Sequence, residues 1–331
     1  MVALALLVGG GFWALSASDG KEAKVTELTL YSGRSEEFIA PFLAAWEKDS
    51  GIKLNVRYGD SAELAAQILE EGNNSPADLF LSQDAGSLGA ISAAGLFAPL
   101  SDDVAKDIEA KYVATDRTWV GVTGRARVLA YRPGAFSVLP QSFADLTKPI
   151  YAGKLGIAPS NASFQAFVTA LINEKGEKFA ESWLKGIKAN DAQIFLKNSA
   201  IVEAIDKGEI DLGLVNHYYT WEVSKALGRK IQVENNFFAS GDIGNLVNVS
   251  GIGILATSQK TDAARDLINF LTSEPTQSSF VTETHEYSLL PGLKAPEALP
   301  SLTSIGSPQV DLGALENVRK TQDLLTKVGL L

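Results

Sequence analysis

The sequence predicts an α/β protein built as two lobes, joined by two long strand runs and enclosing a cleft. Three observations predict it. From Lys24 onward, short apolar strands alternate with segments whose apolar residues recur at helical spacing, the pattern of strand–helix–strand units. The run TWVGVTGRARVLAYRP then interrupts that alternation with β-rich residues and no helix, long enough to leave one sheet and enter another, and VNVSGIGILA restores a strand run later. Between those runs lies a second strand–helix series. A single large sheet is also compatible with the pattern alone.

Taken in order, ELTLYSG reads as a strand closed by a glycine turn, and SEEFIAPFLAAWEKDSG as an amphipathic helix stopped by Gly51. KLNVRYG is the next strand. Asp60 followed by Glu63 resembles a capping box opening the helix ELAAQILEEG. ADLFLSQ and DAGSLGAISAAGLF complete a third strand–helix unit, which implies a mostly parallel sheet with loops at the strands' carboxyl ends lining a crevice. After the first long run come KLGIAPS, a helix from Phe164, a helix around AESWLKGIK, AQIFLKN, the helix SAIVEAIDKG, the strand EIDLGLVN and the helix of YYTWEVSKALG. The second long run leads into the helix DAARDLINFLTSE, and LENVRKTQDLLTKVG reads as a last helix. The expected division is residues 24–126 plus 249–298 for the first lobe and 127–248 plus 299–331 for the second.

Among 331 residues, 46% are hydrophobic and 21% charged, which suits a globular chain with a large core. The formal charge of −10, with no run of basic residues to track a phosphate backbone, argues against nucleic acid as a partner. There is no cysteine, so disulfides, thiolate metal sites, iron–sulfur clusters and a lipid-modified cysteine are excluded. Residues 2–17 are uncharged and apolar, and the small polar stretch SASDGKEA follows. That is the core of a secretory signal, short for a membrane span and without a basic lead-in. The expectation is an exported, periplasmic or extracytoplasmic protein in which residues 1–23 serve as signal or N-terminal anchor.

No nucleophile elbow, phosphate-binding loop, dinucleotide fingerprint or H-E-x-x-H motif occurs, so nothing signals an enzyme. His217 is a candidate acid or base without a readable orienting partner. The stretch VNHYYT is more informative. Tyr218 and Tyr219 are consecutive, so on a regular helix their side chains would diverge by about 100°. At a strand-to-helix junction both phenol oxygens can reach one point. Two side-by-side phenols are either rim aromatics with hydroxyls in solvent, or oxygen donors to a hard, highly charged cation that displaces their protons.

From about Leu28 to Leu331 the chain resembles the periplasmic ferric-ion-binding proteins, the substrate-binding components of bacterial iron ABC transporters. The resemblance rests on LYSGRSEE, GNNSPADLFLSQDAG, VGVTGRARVLAY, GKLGIAPSNASFQAF and FLKNSAIVEAIDKGEIDLGLVNHYY. It implies a type II periplasmic-binding fold, with Fe3+ ligation by Tyr218 and Tyr219. It also implies a synergistic anion, carbonate or phosphate. The resemblance places Asn161, Ala162 and Ser163 at a helix start that cradles the anion, with Asn198, Asn216 and Arg125 as further contacts; free helix N–H groups suit that task. Family members with a fuller protein cage carry a histidine where this chain has Ser35, a glutamate where it has Gln83, and some a tyrosine at Phe164. Anion and water are therefore expected to fill the open positions, with Gln83 or His217 as weaker candidates. Ser35, Arg34 and Tyr31 are the remaining expected cleft contacts. Three positive charges against two phenolates and one anion would leave the site near neutral. The implied partners are an inner-membrane ABC permease and its ATPase, with this chain a monomer that closes like a hinge on its cargo. The rival readings are a receptor of the same fold for an oxyanion or small organic solute, and a periplasmic enzyme using His217.

Overall fold

The computed structural model describes residues 25–316 and 318–331. The expected signal or anchor over residues 1–23 lies outside them. Among the described residues no helix is long and apolar enough to cross a membrane.

The first unit alternates β1 (Glu27–Ser32), α1 (Glu36–Ser50), β2 (Lys53–Tyr58), α2 (Ser61–Glu71), β3 (Leu79–Ser82) and α3 (Ala85–Ala93). In α1 the buried residues Ile39, Phe42, Leu43 and Trp46 recur at helical spacing, and Gly51 ends it in the left-handed conformation at φ 70°. Asp60 caps α2 by accepting from the Ala62 N–H at 2.9 Å; the cap is Asp60's own, and Glu63 supplies acidity in the first turn. Strands β1, β2 and β3 pair in parallel, as the alternation required.

Two long strands join this sheet to the next. β4 (Trp119–Tyr131) is buried along almost its whole length, and β9 (Val247–Ile254) along all of it. β4 pairs antiparallel with β9 from Trp119 to Ala126, then with β7 (Leu212–Asn216) from Arg127 to Tyr131. β9 in turn pairs with β3 over Gly251–Ile254. The strand order is β2-β1-β3-β9-β4-β7, continued by β5 (Leu155–Ile157) and β6 (Gln193–Ile194), with β8 (Glu234–Asn236) also on β4. Two parallel-based sheets therefore meet edge to edge through an antiparallel pair, and the strand order runs unbroken from β2 to β6.

A register shift in β4 between Gly121 and Thr123 falls within this antiparallel pair. The buried Gln277 amide fixes it, donating to the Val122 and Leu271 carbonyls at 2.7 and 2.9 Å and accepting from Ser288 Oγ and Leu289 N–H at 2.9 and 3.0 Å. Gly124 lets the segment after α9 (Glu274–Ser279) dock on the crossing strand. Its N–H donates to the Tyr287 carbonyl at 2.8 Å, and a Cβ there would lie 3.3 Å from that of Tyr287.

The second sheet carries α4 (Ala162–Lys175), α5 (Glu177–Ala189), α6 (Asn198–Lys207) and α7 (Tyr219–Leu227). Phe143, Phe167 and Trp183 pack edge-to-face with centroids 5.3 to 5.7 Å apart. After α8 (Thr261–Thr272), α9 and the short α10 (Leu302–Ile305), the final helix α11 (Val318–Val328) returns to α4 and α5. There Thr169 and Thr321 hydroxyls meet at 2.7 Å. The strand β8 and the π-turn over Phe280–Thr284 carry no clear periodicity in the sequence.

Candidate metal and anion site

β7 is a buried five-residue strand, and the chain turns after Asn216 to begin α7 at Tyr219. Tyr218 holds the capping position just before the helix. Tyr218 is itself near-helical, at φ −73° and ψ −16°, and its carbonyl accepts from the Glu222 N–H at 2.9 Å, yet the two side chains converge. The two rings lie side by side, centroids 4.5 Å apart at 32°. Tyr218 is buried and Tyr219 half-buried. Burial, then the neighbouring Tyr218, push the Tyr219 phenol well above the ordinary value of about 10, while Asn198 acts in the opposite sense.

Asn161 caps α4, as expected of a helix-opening asparagine. Its Oδ1 accepts from Ser163 N–H at 3.1 Å, Ser163 Oγ at 2.5 Å and Asn198 Nδ2 at 3.1 Å. Ala162 is exposed at the first position of the helix. Asn198 opens α6, reaching Ser163 Oγ at 3.2 Å while its own Oδ1 is buried without a protein partner. Asn216, at the end of β7, is buried and accepts from Arg127 at 3.2 Å. The structure thus brings Asn161, Ser163, Asn198, Asn216 and the tyrosine pair into one neighbourhood.

Arg127 was not foreseen. It is 2% exposed on β4 and donates to Ser163 Oγ at 3.1 Å, Asn216 Oδ1 at 3.2 Å and the Leu214 carbonyl at 2.8 Å, all neutral acceptors. Burial pulls its pKa down to about 10, against the pull of Tyr219 and Tyr218, so it stays a cation at neutral pH. Arg125, two residues earlier, is equally buried; it makes one long contact to the Val249 carbonyl at 3.5 Å, and its Nε has no partner. The signal for both was present: two arginines at strand period inside a thirteen-residue apolar run.

Arg34, beyond β1, is engaged by a residue the sequence reading also missed. Its two terminal nitrogens donate to the two Glu286 carboxylate oxygens at 2.7 and 2.6 Å, both side chains buried. Burial opposes its charge, but Glu286 and then the two tyrosines more than offset that, leaving Arg34 above its ordinary value. For Glu286, burial pushes the carboxyl up, while the Arg34 guanidinium outweighs it and holds it below the carboxylate range.

Four further expected contacts have surroundings of their own. Tyr31 donates to Glu71 at 3.1 Å and accepts from Gln67 at 3.2 Å, so its hydroxyl serves α2 and not the tyrosine pair. His217 is buried with both ring nitrogens used: Nδ1 accepts from the Ala126 N–H at 3.2 Å and Nε2 donates to the His285 carbonyl at 2.7 Å. Desolvation takes its pKa down to about 4, so it is neutral and has no lone pair free for a metal or a proton transfer. Ser35 is exposed at the start of α1 and makes no capping bond. Gln83 is half-buried, and its Oε1 has no partner although it is shielded from water.

Chemically, three buried guanidiniums less one buried carboxylate leave two positive charges uncompensated near the two phenols. A buried surplus of that size is costly unless negative charge arrives or forms. Among the described residues, no group of three or more His, Asp or Glu side chains converges, so carboxylate or imidazole cages are not on offer. The arrangement suits ionised phenols and a bound anion.

A family model described as bacterial extracellular solute-binding protein matches residues 31–278. The chain is 32% identical over 335 residues to the Fe(3+)-binding periplasmic protein of Serratia marcescens, covering 100% of this chain and 96% of that one. Its fold is similar to iron-bound HitA from Pseudomonas aeruginosa, with TM-score 0.85 and 32% identity over 92% of this chain and 99% of the other. It is also similar to a Trichodesmium protein solved in complex with iron and citrate, with TM-score 0.80 and 26% identity over 92% of this chain and 99% of that one.

Proposed function

This chain belongs to the bacterial extracellular solute-binding protein family, and on that premise we propose that it captures ferric iron between its two sheets and delivers it to an ABC permease. Its architecture is the type II periplasmic-binding fold. Its relatives are named as periplasmic binding and uptake proteins, which supports a periplasmic site of action. The observation that carries the site assignment is the pair of phenols 4.5 Å apart amid a surplus of buried positive charge.

In this reading Tyr218 and Tyr219 ligate Fe3+ as phenolates, hard oxygen donors for a hard ion. The two phenolates cancel the surplus of two charges, and the cargo then adds three. Exogenous anions must then supply three negative charges for neutrality, or two to leave a single positive charge, which revises the count of one negative charge drawn from the sequence. Carbonate, phosphate or a polycarboxylate meets the requirement, received by Ser163, Asn198, Arg125 and Arg127, with Gln83 offering a weak carbonyl from the first sheet. The lobes close about the crossing strands β4 and β9, and the monomer presents its cargo to the permease with its ATPase.

The test is optical. Purified protein given ferric citrate develops a visible tyrosinate-to-iron charge-transfer band, and the double variant Tyr218→Phe, Tyr219→Phe does not. A colourless wild-type protein that binds an iron-free oxyanion tightly would return the solute-receptor reading.

A further inference from the structure

His217 makes more contacts than an incidental core histidine needs, and they converge from both halves of the molecule. Its backbone N–H donates to the Ala126 carbonyl at 3.1 Å, and its Nδ1 accepts from the Ala126 N–H at 3.2 Å. Ala126 is the last residue of β4 paired with β9 before the strand changes partner to β7. On the other side, Nε2 donates to the His285 carbonyl at 2.7 Å, and the ring lies 4.8 Å from that of Tyr287. The segment around His285 belongs with the first sheet: Phe280 stacks on Phe42 of α1 at 4.1 Å, Glu286 holds Arg34, and Tyr287 bridges Gly124.

His285 itself is held in an uncommon state. Its φ of 55° is left-handed, a conformation that a residue with a side chain keeps only where contacts fix it. Besides the bond to His217, its ring stacks on Trp221, in the first turn of α7, at 4.0 Å. A cavity of about 670 Å³ has Tyr218, Trp221 and His285 in its wall, so the stack can part without repacking the core.

We infer that His217 is a positioning residue, the latch through which the tyrosine junction grips the first sheet, with the Trp221–His285 stack as its outer half. The inference rests on the reading of Tyr218 and Tyr219 as iron ligands. The latch sets how long the loaded protein stays shut; the tyrosines set what it holds.

Two substitutions divide the imidazole's functions. Glutamine extends as far as Nε2 and still donates to the His285 carbonyl. Asparagine reaches only as far as Nδ1, so it keeps the Ala126 contact and loses the one to His285. Iron is loaded, an excess of EDTA is added, and decay of the charge-transfer band is followed. His217→Gln is expected to release iron within about twofold of wild type, and His217→Asn about fivefold faster, as befits one lost hydrogen bond, with the band at an unchanged wavelength in both. Trp221→Leu, at a half-exposed position, also accelerates release and carries the test if the asparagine variant does not fold. Wild-type release rates in His217→Asn or Trp221→Leu overturn the latch, as does equal acceleration by glutamine and asparagine. A wild-type protein with no band at all overturns the ligand reading first and the latch with it.

Discussion

Replacing Arg127 by methionine separates two quantities that usually move together, the stability of the metal-free protein and its grip on iron. Burial takes this guanidinium down to a pKa of about 10 from an ordinary value of 12.5. At about 1.4 kcal/mol for each tenfold, keeping it charged costs the folded protein about 3 kcal/mol. Its three bonds, to Ser163, Asn216 and Leu214, return about 1 kcal/mol each. Removing a buried cation that has no acid partner therefore leaves metal-free stability within about 1 kcal/mol of wild type, read from urea unfolding. Iron binding behaves differently. With the phenols ionised and an anion present, the same guanidinium faces negative charge, and its loss removes charge-assisted contacts worth about 1.5 to 3 kcal/mol. Iron affinity, measured by competition with citrate, falls at least tenfold. A loss of more than about 3 kcal/mol in the metal-free protein would show that Arg127 is a structural strut. Unchanged iron affinity would refute the charge count on which the anion requirement stands.

Three further outcomes follow from the same geometry. Glu286→Gln leaves Arg34 buried against a neutral amide; breaking such a pair costs about 3 kcal/mol, so calorimetry shows Tm lower by roughly 6 to 12 °C, and a shift under 2 °C contradicts the pairing. Gln83→Glu places a carboxylate where a shielded carbonyl now lacks a partner and lowers the surplus from two charges to one. Iron then binds more tightly and depends less on added carbonate or phosphate in isothermal titration, whereas weaker iron binding would remove Gln83 from the site. Because the Tyr219 phenol is raised above its ordinary value, it is protonated in the metal-free protein throughout pH 5 to 8, and iron must displace that proton. Retention is therefore lost on acidification, by a factor of ten per pH unit for each phenol that ionises, and a pH-independent affinity over that range would mean the phenols do not bind as anions.

Much of this was legible in the chain because its elements are locally consistent. Strands β1 to β3, the helices between them, both crossing runs and the junction at Tyr218 follow from periodicity and punctuation such as Gly51 and Asp60. The site was legible only in part. Asn161 and Ser163 sit at a helix start, which a cap signal marks, and the tyrosine pair sits at a strand end, which an apolar run marks. Arg34 was visible but not its state, since its partner Glu286 lies 252 residues away and no local pattern connects them. The surroundings of His217 were hidden for the complementary reason. A histidine's chemistry depends on what its two nitrogens meet, and here both meet backbone groups from distant segments, the Ala126 amide and the His285 carbonyl. Tyr31 shows the converse error, a residue at the right strand end whose pleat directs it to Glu71 on α2.

The position of the two β4 arginines ties charge to architecture. Arg125 pairs in register with Asn248 on β9, and Arg127 with Asn216 on β7, so the change of partner falls between them. Each guanidinium is carried by a different stretch of ladder although only one residue separates them. Asn216 leads directly into the tyrosine pair, whereas β9 is also hydrogen-bonded to β3 of the first sheet. Any rotation of one sheet against the other therefore alters how Arg125 and the Arg34–Glu286 pair stand relative to the phenols, while Arg127 travels with them. The positive field that favours phenolate over phenol is thereby a function of sheet orientation. On the proposed reading, iron affinity and closure are therefore coupled through electrostatics even before the cargo touches a ligand from the first sheet.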